Sequence, residues 1–213
     1  SEPTADTSIQ EPAPALSTSE PQDCRRWQVE VEEAETIADS LSLEGTIVVT
    51  DDGWGIAEVL CSRLETRGLS TIRVGFEAGI RDVSIQTEQG RTVHRGDPGN
   101  NEHLEAITSA LSDVQLAGII HLAPMKLASA KWSEDVTPSS QVTLSAHGWF
   151  GLLKGLDAKL ASLSSGLIAS VTAMDGRHGT LGERFNSIQC AASGVTKSYS
   201  FEQPQLRSRA LDV

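Results

Sequence analysis

The residues best placed to do chemistry follow a β-branched run. Gly45-Thr46-Ile47-Val48-Val49-Thr50 reads as a central parallel strand, and Asp51-Asp52-Gly53-Trp54-Gly55 comes directly after it. A glycine-bearing turn between a strand and a helix can hold phosphate groups on its backbone N–H groups and on the helix N-terminus. Here the turn carries two carboxylates. Two like charges about 5 Å apart at an effective dielectric of about 20 repel by roughly 3 kcal/mol. That is about a hundredfold in affinity. Asp51 is therefore expected to oppose an anionic ligand, and Asp52 to add to the effect. Asp and Gly are also ordinary turn formers, and a plain turn stays open as the alternative.

Other reactive residue types form no recognisable constellation. His94, His103, His121, His147 and His178 lack metal-site spacing. His121 ends an apolar run and reads as a hydrogen-bonded core or loop histidine. No G-x-S-x-G elbow occurs, so hydrolase chemistry has no support. Cys190 lies among small residues and reads as packing. Asp175-Gly176-Arg177-His178-Gly179 sits beyond a strand, as a mobile surface loop or as a contact for a partner domain. Trp132, Trp149 and Phe150 gather around one long helix, as core or as an apolar docking face.

The positioning framework follows from composition and periodicity. The chain has 213 residues, enough for one mid-sized domain. Its formal charge of −12 disfavours nucleic acid and anionic membranes as partners. No apolar run approaches the roughly 20 residues of a membrane span. Cys24, Cys61 and Cys190 are too scattered for a disulfide framework, which fits a reducing cytoplasm. Residues 1–23 hold four of the eight prolines, five acids and no bases, and read as an acidic Pro/Ser/Ala-rich linker. The domain proper is expected over 24–213. With no initiator Met and an abrupt stop at Val213, the chain reads as a segment of something longer.

Strands are expected at 26–31, 45–50, 70–76, 118–122, 166–171 and 207–213, with a weak pair at 83–86 and 92–93. Helices are expected at 54–67, 102–111, 138–163 and 185–201. This alternation predicts an α/β fold, a Rossmann-like doubly wound parallel sheet with its ligand crevice after the first strand.

In that register the loop resembles the short-chain dehydrogenase/reductase pattern T-G-x-x-x-G-x-G. Gly55 keeps the middle glycine, while Asp51 and Ala57 replace the first and last. The resemblance implies a catalytic Ser, a Tyr-x-x-x-Lys and an Asn. Their positions carry Ala173, Phe185, Gln189 and Ser145, so the catalytic set is expected to be lost. The one tyrosine, Tyr199, is followed four residues later by Gln203. Glu77 ends the second strand where a ribose hydroxyl would bind, and Arg81 is nearby.

Four segments are similar to a narrower group, the ketoreductase region of iterative polyketide and polyunsaturated fatty-acid synthases. They are His121-Leu122-Ala123-Pro124, Ser170-Val171-Thr172-Ala173-Met174-Asp175-Gly176, Phe185-Asn186 and Arg209-Ala210-Leu211-Asp212. The resemblance implies a structural, degenerate first half. Its partners would be a catalytic half that binds NADPH and an acyl carrier protein, and a second copy could dock on the 140–163 helix. This chain would bind no cofactor through Asp51, Asp52, Gly53 and Gly55, and would hold no metal. The alternatives are a weakly active NADP-dependent β-ketoacyl reductase, with Thr172 or His178 as proton donor, or a docking or ligand-sensing module for a carrier protein.

Overall fold

The computed structural model describes residues 42–128, 138–181 and 185–213. The linker at 1–23, the strand expected at 26–31, Cys24 and Trp132 lie outside them. Seven strands form one sheet: β1 (Thr46–Thr50), β2 (Ser70–Phe76), β3 (Ser84–Glu88), β4 (Arg91–Gly96), β5 (Leu116–His121), β6 (Leu167–Thr172) and β7 (Arg207–Asp212). Their order is β3-β4-β2-β1-β5-β6-β7, and every pairing is parallel except the β3–β4 hairpin. The order reverses at β1, so the switch point lies between β1 and β5.

The two faces of the sheet follow from the period-two alternation of side chains. Ile47 and Val49 join Ile120 and Ala169 beneath α1 (Ile56–Thr66), through Ala57 and Cys61. Val48, Val74, Ile119 and Ile168 point the other way, beneath α2 (Asn101–Ala110), α4 (Gly148–Ala161) and α5 (Cys190–Glu202). Trp149 is fully buried on that side, so it is core, whereas Phe150 is 53% exposed. Among the described residues no helix is long and apolar enough to cross a membrane.

Three elements differ from their sequence-based expectation. The weak strand pair is a full hairpin, turned by Gln89 and Gly90, both at positive φ. That geometry matches the twist of the flanking strands. The helix expected over 138–163 is split into α3 (Pro138–Val142), a π turn (Thr143–His147) and α4. A π turn adds a residue and rotates everything before it off the apolar stripe. Val142 is accordingly 45% exposed, although its spacing from Trp149 would bury it on a regular helix. The last long helix starts later than residue 185, because the Asn186 side chain accepts the Ile188 N–H and caps a 3-10 turn (Ser187–Gln189) ahead of α5.

Candidate functional site

The crevice at the switch point is built on the C-terminal ends of β1, β2 and β5. Thr50 closes β1 and is fully buried. Its Oγ1 accepts the N–H groups of Leu122 (2.8 Å) and Ala123 (2.9 Å), tying β1 to the turn that follows β5. The same hydroxyl donates to His121 Nδ1 at 3.0 Å, and His121 Nε2 donates to the Ser145 carbonyl at 3.2 Å. The π turn presents that carbonyl. The imidazole also stacks on Trp149, with ring centroids 4.8 Å apart. Burial pushes the His121 pKa down to about 3, against the opposing pull of the Ser145 carbonyl. His121 is thus a neutral core residue.

After β1 the chain turns through Gly53 and Gly55, both at positive φ, and Gly55 caps α1. Gly55 has no side chain to complete that cap. Asp52 does so, with its side chain fully buried. Its Oδ2 accepts the Trp54 N–H at 2.8 Å and the Ile56 N–H at 3.2 Å, and its Oδ1 accepts the Ala57 N–H at 2.7 Å. These are the orphan donors of a helix N-terminus, the groups that hold phosphate in dinucleotide-binding loops. A pyrophosphate placed here would meet a carboxylate on the same donors, so the residues present do not fit one.

Asp51 behaves differently from the sequence-based expectation. Its carboxylate pairs with Arg73 at 3.0 Å, and both side chains are largely buried. The repulsion assigned to Asp51 is therefore largely neutralised from β2, and the obstacle to an anion is Asp52.

Lys126 adds a strap that the sequence reading missed. It leaves the 3-10 turn Ala123–Leu127, its stem passes Gly53, and its Nζ donates to the Phe76 carbonyl at 3.1 Å. It thus runs from the end of β5 to the end of β2, across the mouth of the crevice. Burial pushes the ammonium below the usual lysine range, while Asp51, Glu77 and Asp52 draw it back. Glu77 is paired with Arg95 at 2.6 Å, and Arg95 also binds Glu88 at 2.7 Å. No spacing in the sequence links Arg73, Arg95 and Lys126 to this loop, because each comes from a different element.

On the β6 side, the four positions of the expected catalytic set are occupied as follows. Gln189 is fully buried. Its Oε1 accepts the Ala173 N–H at 2.9 Å, and its Nε2 donates to the Ala173 carbonyl at 3.2 Å. The lysine and serine positions thus satisfy each other. Ser145 donates its hydroxyl to the Ile188 carbonyl at 3.1 Å. Phe185 precedes the helix and lays its ring on Gly179. Asn186 donates to Gln141 at 2.6 Å. Thr172 Oγ1 is committed to Asp212 at 2.8 Å, and His178 enters the network through its backbone N–H, also to Asp212.

The rim loop after β6 is organised by two carboxylates. Asp212 also accepts the Met174 N–H (2.8 Å) and the Asp175 N–H (3.2 Å). Asp175 accepts N–H groups from Arg177, Gly179 and Leu181. Burial works to raise the Asp212 pKa, but its donors hold it below the usual carboxylate range. Tyr199 lies away from the crevice. It donates to Asp157 at 2.8 Å, and it lines a groove of about 710 Å³ between α4 and α5 that also includes Phe150 and Leu153. Among the described residues, no group of three or more His, Cys, Asp or Glu could hold a metal.

No protein-family model matches the chain, and no curated protein matches it by sequence. Solved structures do match. The ligand-free aldohexose dehydrogenase of Thermoplasma acidophilum superposes with a TM-score of 0.60 at 16% identity, over 79% of this chain and 65% of that one. A short-chain dehydrogenase of Shigella flexneri complexed with NADP gives 0.59 at 16%, over 78% and 75%. A multidomain structure with the adenylation, ketoreductase and pseudo-Asub domains of a keto acid-selecting NRPS module gives 0.59 at 17%, over 82% of this chain and 14% of that one. At these identities the likeness shows the fold alone, a Rossmann-like sheet like that of these short-chain dehydrogenases.

Proposed function

We propose that this chain is a non-catalytic, reductase-like domain that supports an adjacent catalytic ketoreductase half in a polyketide or fatty-acid synthase. The observation that carries this reading is the Gln189–Ala173 pair. Two positions that in an active reductase would hold a lysine that lowers the tyrosine pKa and a serine that positions the carbonyl are bonded to each other, and Phe185 has no proton to give. The partner half would bind NADPH and reduce a β-ketoacyl chain delivered by an acyl carrier protein. The groove between α4 and α5, with Phe150 exposed on it, is the face on which that half or a second copy would dock. The ketoreductase neighbour within a multidomain module is consistent with such a setting.

The test pairs the chain with the catalytic half of the same synthase. Thermal unfolding of that half and its reduction of a β-ketoacyl thioester are measured with and without this chain. Support predicts a higher unfolding midpoint and retained activity only in the pair. An unchanged midpoint and unchanged activity contradict it.

A further inference from the structure

The nucleotide turn raises a separate question, which is what stabilises a cofactor cradle when the fold keeps it. We propose that Asp52 is an internal ligand, a carboxylate that replaces the pyrophosphate, and that Lys126 straps the crevice shut above it. This inference does not rest on the supporting-half reading, because it concerns only the start of α1 and the mouth of the crevice.

The argument begins from the donors. A helix N-terminus leaves N–H groups without intrahelical partners, and its dipole favours negative charge there. In a dinucleotide-binding fold those donors are left open for the ligand, at some cost to the apo state. Here Trp54, Ile56 and Ala57 all donate to one fully buried carboxylate, with donor–acceptor distances of 2.8, 3.2 and 2.7 Å. Charge-assisted bonds of this kind are the strong ones. Asp52 is covalently attached, so it acts at a high effective concentration that a free anion must overcome.

The second part is the strap. Lys126 reaches from the turn after β5 to the Phe76 carbonyl at the end of β2, with its stem against Gly53. Its charge faces Asp51, Asp52 and Glu77, while Arg73 neutralises Asp51 and Arg95 takes Glu77. Every charge around the turn thus has a counter-charge from within the chain. The domain holds a closed, self-liganded cradle, and its folding is independent of nucleotide.

The experiment uses the full 213-residue chain. Inorganic pyrophosphate and NADPH are titrated calorimetrically into the wild type, Asp52→Ser and Asp52→Asn, with circular dichroism to check folding. The wild type should give no binding heat with either probe. Asp52→Ser should unfold at a lower temperature and give a pyrophosphate binding heat, with an affinity at least roughly tenfold above the limit at which the wild type shows none, the worth of one charge-assisted hydrogen bond. Asp52→Asn keeps the side-chain volume and one acceptor, so it tests the same gain if Asp52→Ser does not fold. Lys126→Ala added to either variant removes the stem that crosses the mouth, and NADPH should then give a binding heat that the single variant lacks; no such heat overturns the strap.

NADPH binding to the wild type, or identical pyrophosphate titrations of wild type and both variants, overturns the inference. Either result leaves the supporting-half reading standing. Conversely, failure to stabilise a catalytic half would sink that reading and leave Asp52 as the cradle's occupant.

Discussion

Asp52 and His121 are both buried polar side chains at the end of the crevice; Asp52 is held by N–H groups of the turn and helix that follow it, and His121 by Thr50 and Ser145, which are distant in sequence. His121 makes stability depend on pH. A histidine whose folded pKa lies near 3 binds no proton in the native state between that value and its ordinary 6.5, whereas the unfolded chain does. Stability therefore rises with pH through this window and falls as the pH is lowered from about 6.5. With one pKa unit worth about 1.4 kcal/mol, the loss by pH 4 is on the order of 3 kcal/mol. His94, also pushed down by burial, contributes in the same direction. Urea denaturation at pH 7 and pH 4 measures the sum, and His121→Gln should flatten the part that belongs to His121. The carboxyl groups of Asp175 and Asp212 act lower. They are held below their usual values, and their stabilisation is present above about pH 4 and lost below it. A second expectation concerns Gln189→Lys. It restores the residue type of the active pattern, but it removes both bonds to Ala173 and buries an unpaired ammonium. It should destabilise by about 3 kcal/mol in urea and yield no reduction. The sequence singled out Asp51, Asp52, Ala173, Phe185, Gln189 and Ser145. It did not show that Arg73 cancels Asp51, nor that Lys126 crosses the turn, because those partners arrive through strand order and side-chain reach.

At the scale of elements, the strands and helices were legible where one periodicity dominated. The buried run of β1 and the apolar stripe of α4 are unambiguous in sequence. The β3–β4 hairpin was legible only as a weak pair, since its polar, exposed residues give little alternation to detect. The π turn was illegible in the local pattern, and its Ser145 carbonyl accepts a bond from His121, which lies on another element. Helix packing supplies a further expectation. Gly151 and Gly155 of α4 face α2, and a Cβ at Gly155 would stand 2.6 Å from Thr108 Cγ2. Gly155→Val should force the two helices apart and cost about 1–3 kcal/mol, measured as a lower urea midpoint with unchanged m-value. The rim loop after β6, expected from sequence as a mobile surface loop or a partner contact, has its N–H groups bonded to Asp175 and Asp212. The second of these carboxylates comes from the end of β7, so no local pattern could announce it.

For the molecule as a whole, a Rossmann-like sheet has the polar groups at two of its corners satisfied from within. One corner is the N-terminus of α1, closed by Asp52, and the other is the end of β6, closed by Gln189. The two faces of the sheet are each buried beneath helices, and that apolar burial is the main stabilising contribution to the fold. The most direct measurement is NADPH oxidation by the purified chain in the presence of a β-ketoacyl thioester, followed by absorbance with an active ketoreductase as reference. The account predicts a rate indistinguishable from the enzyme-free control across pH 6 to 8. Turnover above that control, abolished by Thr172→Val or by replacing His178, would contradict it.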